Sequence, residues 1–244
     1  MTDGLKPGHY SSKPDVVLEP QVTGAQAART ILTRLREIMQ QNEEGIWEDW
    51  DTEFLHDFRV SVRRTRSALS QIVGVLPKDA VDYYKDAFRG LGHATNRLRD
   101  LDVYLLEENA YRAMLPAMLE SGLDAMFARL RKERRIAQRD LAQHLKTPGY
   151  QELMTNWDNF LKGEQLWEGM APFADVDAVD LARKFIRKRY KKVIKRGRAI
   201  TEDTPYDVFH SLRIDCKKLR YLLEFFASLF PANKMILLIG QLKK

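Results

Sequence analysis

The apolar positions of this chain recur every three or four residues almost from end to end, and strand-like alternation is nearly absent. That period predicts an all-α fold. A first helix is expected over 23–41, with Ala28, Ile31, Leu35, Ile38 and Met39 in register. An acidic loop with Glu43, Glu44, Glu48, Asp49 and Asp51 follows, its Trp47 and Trp50 covering one end of the bundle. Asp51 or Thr52 can cap the next helix. There Phe58, Val62, Thr65, Leu69, Ile72, Val73 and Leu76 share one side, and Pro77 ends the run.

A third helix starts near Lys78, carries Tyr84, Phe88, Leu91, Leu98 and Leu101, and meets a break at Pro116, Ser121 and Gly122. Its Gly90 and Gly92 would each cost about 1 kcal/mol in a free helix, which points to close packing or the approach of a ligand. A basic amphipathic helix over 123–145 comes next. Thr147 and Pro148, an N-cap and first-position pair, then open a short helix to 161. A basic helix spans 180–198. Thr204, Pro205, Tyr206 and Asp207 resemble a capping box for a further helix, with Asp in the place of Glu.

The polar side of the second helix changes the picture. At about 100° per residue, His56, Arg59, Arg63 and Arg66 fall within roughly 80° of one another, and Arg64 flanks them. Shifted by 154 positions, without a gap, they land on His210, Arg213, Lys217, Arg220 and, for Arg64, Lys218. The apolar side repeats too, as Leu212, Cys216, Leu219, Leu223, Phe226 and Phe230. A core would repeat only apolarity, so the repeated cations need their own reason. The pattern predicts two pseudo-symmetric helical bundles from an internal duplication. Residues 1–22 are expected as a flexible leader, 23–162 as the first half, 163–176 as a linker and 177–244 as the second half. Under the same shift Lys244 corresponds to Gly90, so the second copy is expected to be truncated, its apolar C-terminal surface exposed or covered by another chain.

Composition narrows the partners. A net charge of +6 and a pI near 9.3 favour a polyanion. Residues 181–198 hold ten Lys and Arg and no acid, where a solvated face would mix signs. Cys216 is the only cysteine, which excludes an internal disulfide and fits a reducing, cytoplasmic setting. With no apolar run of about 18 residues, no membrane partner is expected.

Arg offers a planar fork matched to phosphate oxygens, and Lys a mobile point charge. Cations one turn apart recur roughly every 5 Å along a helix, so a rigid rail can meet successive phosphates. Affinity should then fall steeply with salt. His56 and His210 head the two rails and are expected to donate to phosphate; His93 could join them, while His9 and His144 look incidental. No metal is expected, for there is no His-Glu-x-x-His pattern or ligand-spaced acid. No cofactor and no catalytic residue are assigned: Ser67 lacks an evident base, and hydrolysis would want metal-holding carboxylates. RNA or DNA would satisfy the same electrostatics, but base readout usually adds stacking aromatics, and Tyr221 alone qualifies. A metal-dependent phosphohydrolase or an adaptor is the remaining alternative.

The run from His56 to Arg66, then Leu91 and Gly92 with Arg99 to Val103, then the run from His210 to Tyr221 together resemble the CHAD domain, the conserved histidine α-helical domain. The resemblance spans roughly 23–244. It implies paired helical bundles around a basic pore or groove, binding of inorganic polyphosphate, and association with polyphosphate granules. Carried over by position, the family's basic residues fall on His56, Arg59, Arg63, Arg64, Arg66, His210, Arg213, Lys217, Lys218 and Arg220. Arg89 and Arg97 are expected to add field and outer contacts. His93, Arg99, Arg183, Lys184, Arg187, Lys188 and Lys191 form a further tier, although Asp100 or Asp102 also has a local claim on Arg99.

Overall fold

A computed structural model describes residues 14–116, 121–163 and 170–243. His9, the first part of the expected leader, 164–169 of the expected linker and Lys244 lie outside the described residues. The helices are α1 (Gly24–Trp47), α2 (Thr52–Gln71), α3 (Lys78–Ala94), α4 (Asn96–Leu106), α5 (Glu108–Ala113), α6 (Gly122–Leu145), α7 (Pro148–Lys162), α8 (Ala178–Arg198), α9 (Tyr206–Phe225) and α10 (Ala232–Gln241). A 3-10 turn at Ala227–Leu229 precedes α10. Among the described residues there is no strand, only an isolated bridge between Thr23 and Asp177. The fold is all-α.

The core is built around α1, whose Ile31, Leu32, Leu35, Ile38 and Met39 are at most 1% exposed. It packs against α2, α6, α7 and α8. Phe58, Val62, Thr65, Leu69, Ile72 and Leu76 are buried as the period requires, but Val73 is 61% exposed because α2 ends at Gln71. On the far side, Trp157 of α7 meets Tyr84 and Phe88 of α3 at ring separations of 4.5 and 5.3 Å. Residues 171–178 are pinned to the same core. Ala25 donates its N–H to Ala174 O at 2.8 Å, and Phe173 to Gly74 O at 2.8 Å. Within the expected leader, Val16 and Leu18 are buried, and the Leu18 N–H donates to Ser228 Oγ at 2.9 Å.

Four local expectations change. The acidic stretch after residue 41 is a loop only over 48–51, because α1 continues to Trp47 and takes in Glu43 and Glu44. Glu43 is tolerated inside because it accepts from the Tyr150 hydroxyl at 2.5 Å and lies 3.5 Å from Arg36. The third helix is divided at Thr95 and Glu107. Thr204 does not cap α9; its Oγ1 accepts from the Thr201 N–H at 2.7 Å. Close packing falls on other glycines than expected. A Cβ at Gly45 would sit 2.2 Å from the Phe54 ring, whereas one at Gly90 would meet nothing within 4 Å. The expected caps at Asp51 and Thr147 do form, to Glu53 N at 2.8 Å and Tyr150 N at 3.4 Å.

A cationic groove between three helices

The α2 and α9 helices lie side by side, and α3 packs on α2. Between them runs a groove of two contiguous hollows of about 120 and 320 Å³ that share Arg63, Arg66 and Arg89 in their walls. The smaller ends on Arg59, His93, Thr95 and Asn96. The larger opens onto Lys85, Lys217 and Lys218, with Ser67, Ser70 and Tyr221 among its lining. Helical spacing explains the convergence: Arg59, Arg63 and Arg66 share one face of α2, and Lys85, Arg89 and His93 recur every four residues on α3. Lys85 is a groove cation outside the expected set. Its signal was that four-residue spacing with Arg89 and His93.

The groove is electrostatically frustrated when empty. Burial and then the neighbouring Arg213, Arg63 and Arg220 hold the Lys217 ammonium below its ordinary pKa. Burial and then Arg189 do the same to Lys218. Arg66 is lowered by burial and then Arg89, and Arg59 by burial and then Arg63. Among the described residues no carboxylate lies within ion-pair distance of Arg63, Arg66, Lys217 or Lys218. Arg66 Nε is buried without a hydrogen-bond partner among the described residues. Arg89 has Asp86 at 3.1 Å and Lys85 has Asp82 at 3.6 Å, both on their own helix.

Other expected ligands are placed differently. Arg59 is a structural tie at the groove end: it donates to Gly92 O at 3.2 Å, Asn96 Oδ1 at 2.9 Å and the Thr95 hydroxyl, closing the α3–α4 corner. Arg64 is buried behind the groove, donating to Glu224 at 2.9 Å, and Arg220 donates to the same carboxylate. Their guanidinium carbons lie 5.5 and 5.1 Å from the centre of the Tyr221 ring, which is 4% exposed. Gln71 ties the helices below, donating to Ser67 Oγ and Lys218 O. His56 is half-buried, and burial followed by Arg99 and then a weaker push from Arg63 lowers its pKa. Arg99 Nη1 is buried without a hydrogen-bond partner among the described residues; Asp102 accepts instead from Arg134 at 2.8 Å. Arg97 points to Glu133 on α6, 3.0 Å away. His210 and Arg213 are exposed on the first half of α9.

The basic helix α8 is split by face. Lys184 and Lys188 line a hollow of about 500 Å³ beside the groove, and Arg183 and Arg187 line an apolar one of about 560 Å³ against α10. Lys191 is exposed and lines neither. The absence of acids along α8 is offset in space: the buried Asp215 of α9 faces Arg189 at 2.9 Å, Lys192 at 3.3 Å and Arg196. Burial opposes ionisation of Asp215, yet these three cations hold its carboxyl below the usual range. Among the described residues no group of three or more His, Cys, Asp or Glu could hold a metal, and no helix is long and apolar enough to cross a membrane.

Fold and groove together define an all-α helical protein with a cationic cleft between packed helices. The chain belongs to the CHAD domain family, whose model matches residues 30–244. It is similar to the crystal structure of the CHAD domain from the plant Ricinus communis, at 27% identity and a TM-score of 0.76, over 97% of this chain and 79% of that one. It also shares its fold with PptA from Streptomyces chartreusis, at 13% identity and a TM-score of 0.66, over 92% and 81% of the two chains. The search of curated proteins gives no match.

Proposed function

We propose that this protein binds inorganic polyphosphate in the groove, as a cytoplasmic module without catalytic activity of its own. The observation that carries the reading is the set of Arg63, Arg66, Lys217 and Lys218, which converge on one groove with no carboxylate among the described residues in ion-pair range. Gathering cations without counter-ions opposes folding, and a bound chain of phosphates relieves that repulsion. Guanidinium groups supply charge and donors but hold their protons, which suits binding rather than the activation of water. The family resemblance adds polyphosphate as the ligand and polyphosphate granules as a place to find it. Nucleic acid is the second reading. It is disfavoured because Tyr221, the one aromatic expected on the cationic faces, is buried under two guanidinium groups rather than presented for base stacking.

Competition separates the two. Labelled long-chain polyphosphate is challenged with unlabelled single-stranded RNA and double-stranded DNA at low and high salt. The reading expects polyphosphate to win at both. Equal competition per charge would make the groove a generic cationic surface.

A further inference from the structure

The groove does not stop at α9. Its larger hollow and the hollow beside α8 share Ser70 as a common wall residue. On the far side of Ser70, Lys184, Lys188 and Lys192 stand four residues apart on one face of α8, roughly 6 Å per step along the axis. Lys192 and Arg189 are held by Asp215, but no carboxylate among the described residues lies within ion-pair distance of Lys184 or Lys188. Lys184 Nζ instead rests 3.8 Å from the centre of the Phe173 ring, a perch that fixes the ammonium without neutralising it. Lys218 in the groove already feels Arg189 and Lys192, with the buried Asp215 opposing them, so cations of the two hollows are close enough to interact across the Ser70 edge.

We propose that the binding track runs from the groove over Ser70 onto the Lys184–Lys188 face of α8, so that one linear polyanion occupies both hollows. This inference rests on the polyphosphate reading and adds to it a second subsite and a dependence on chain length. A short anion fills one hollow; only a chain long enough to cross Ser70 reaches the α8 lysines. Arg183 and Arg187, on the face toward α10, lie off the track.

The test uses the double variant Lys184→Gln with Lys188→Gln, both exposed positions, against Lys132→Gln with Arg135→Gln on α6, which removes the same charge elsewhere. Affinities are measured for tripolyphosphate and for long-chain polyphosphate. The expected result is a loss of about tenfold for the long chain only, with the salt slope reduced by about two, and little change for tripolyphosphate or for the α6 control. Equal losses for the two double variants, or for the two ligands, would overturn the extended track. Removal of Arg63 and Lys217 is the companion measurement. Intact affinity there would overturn the polyphosphate reading itself, whereas lost affinity there with an unremarkable α8 variant would overturn the extension alone.

Discussion

Arg64 of α2 and Glu224 of α9 are joined by an N–H···O bond of 2.9 Å, with side chains only 7% and 13% exposed. Glu224 accepts from Arg220 at the same distance. This buried ionic triad bridges the two helices that carry the groove cations. It sets how far apart Arg63 and Lys217 stand, so it bears on binding without facing the ligand.

Replacing Glu224 with Ala leaves two guanidinium groups in the α2–α9 seam without that carboxylate. Breaking a buried pair from one side costs about 3 kcal/mol. Urea denaturation should show a loss of that order, and polyphosphate affinity should fall with it. A stability change within about 0.5 kcal/mol would remove the seam from the account.

Asp215 gives the fold an acid limit. Its folded pKa is depressed, so its contribution is fully present above the ordinary value of about 3.9 and is lost as pH falls through the lower folded value. Its partners Lys192 and Arg196 are 47% and 41% exposed, so solvent screening reduces the cost of Asp215→Asn to about 1–2 kcal/mol near neutral pH. Denaturation curves between pH 6 and 2 should show the variant less stable at the top of the range and converging with the parent protein at the bottom.

His56 should couple binding to protons. Burial and Arg99 favour its neutral form, while Glu53 and Asp57 pull weakly the other way. A depressed folded pKa means that its contribution to the stability of the free protein is present above about 6.5 and lost as pH falls through the folded value. A bound polyanion favours the charged ring, so affinity should rise as pH falls from 8 to 5.5. His56→Gln should flatten part of that rise. An unchanged pH profile would place His56 outside the ligand's field.

Two glycines should respond in opposite directions. Gly45→Ala drives a methyl into the Phe54 ring and should destabilise by about 1–3 kcal/mol. Gly90→Ala meets open space in the interior of α3 and should stabilise by about 0.5–1 kcal/mol. Thermal melts of the two variants check both signs.

What could be read from the chain was local. The α2 stripe, the Thr147–Pro148 start of α7 and the burial of Phe58, Val62 and Leu69 follow from spacing of three and four residues. What could not be read depends on partners far apart in sequence. Arg64 looks like a flank of the cationic row until Glu224, 160 positions away, turns it inward. The α8 cations look unopposed until Asp215 comes alongside. The continuation of α1 past Gln41 depends on Arg36 and Tyr150 receiving Glu43. Arg59, in the wall of the smaller hollow, also donates to Thr95 and Asn96 at a helix corner whose position the apolar period does not mark.

The most direct measurement is the affinity of the Arg63→Ala, Lys217→Ala double variant for long-chain polyphosphate at moderate salt, with circular dichroism confirming intact helices. Arg63 is exposed, Lys217 half-buried, and neither has an ion pair among the described residues. Losing two charge-assisted contacts of about 1.5–3 kcal/mol each predicts a drop of about 100-fold or more. Affinity equal to that of the parent protein would contradict the groove as the binding site.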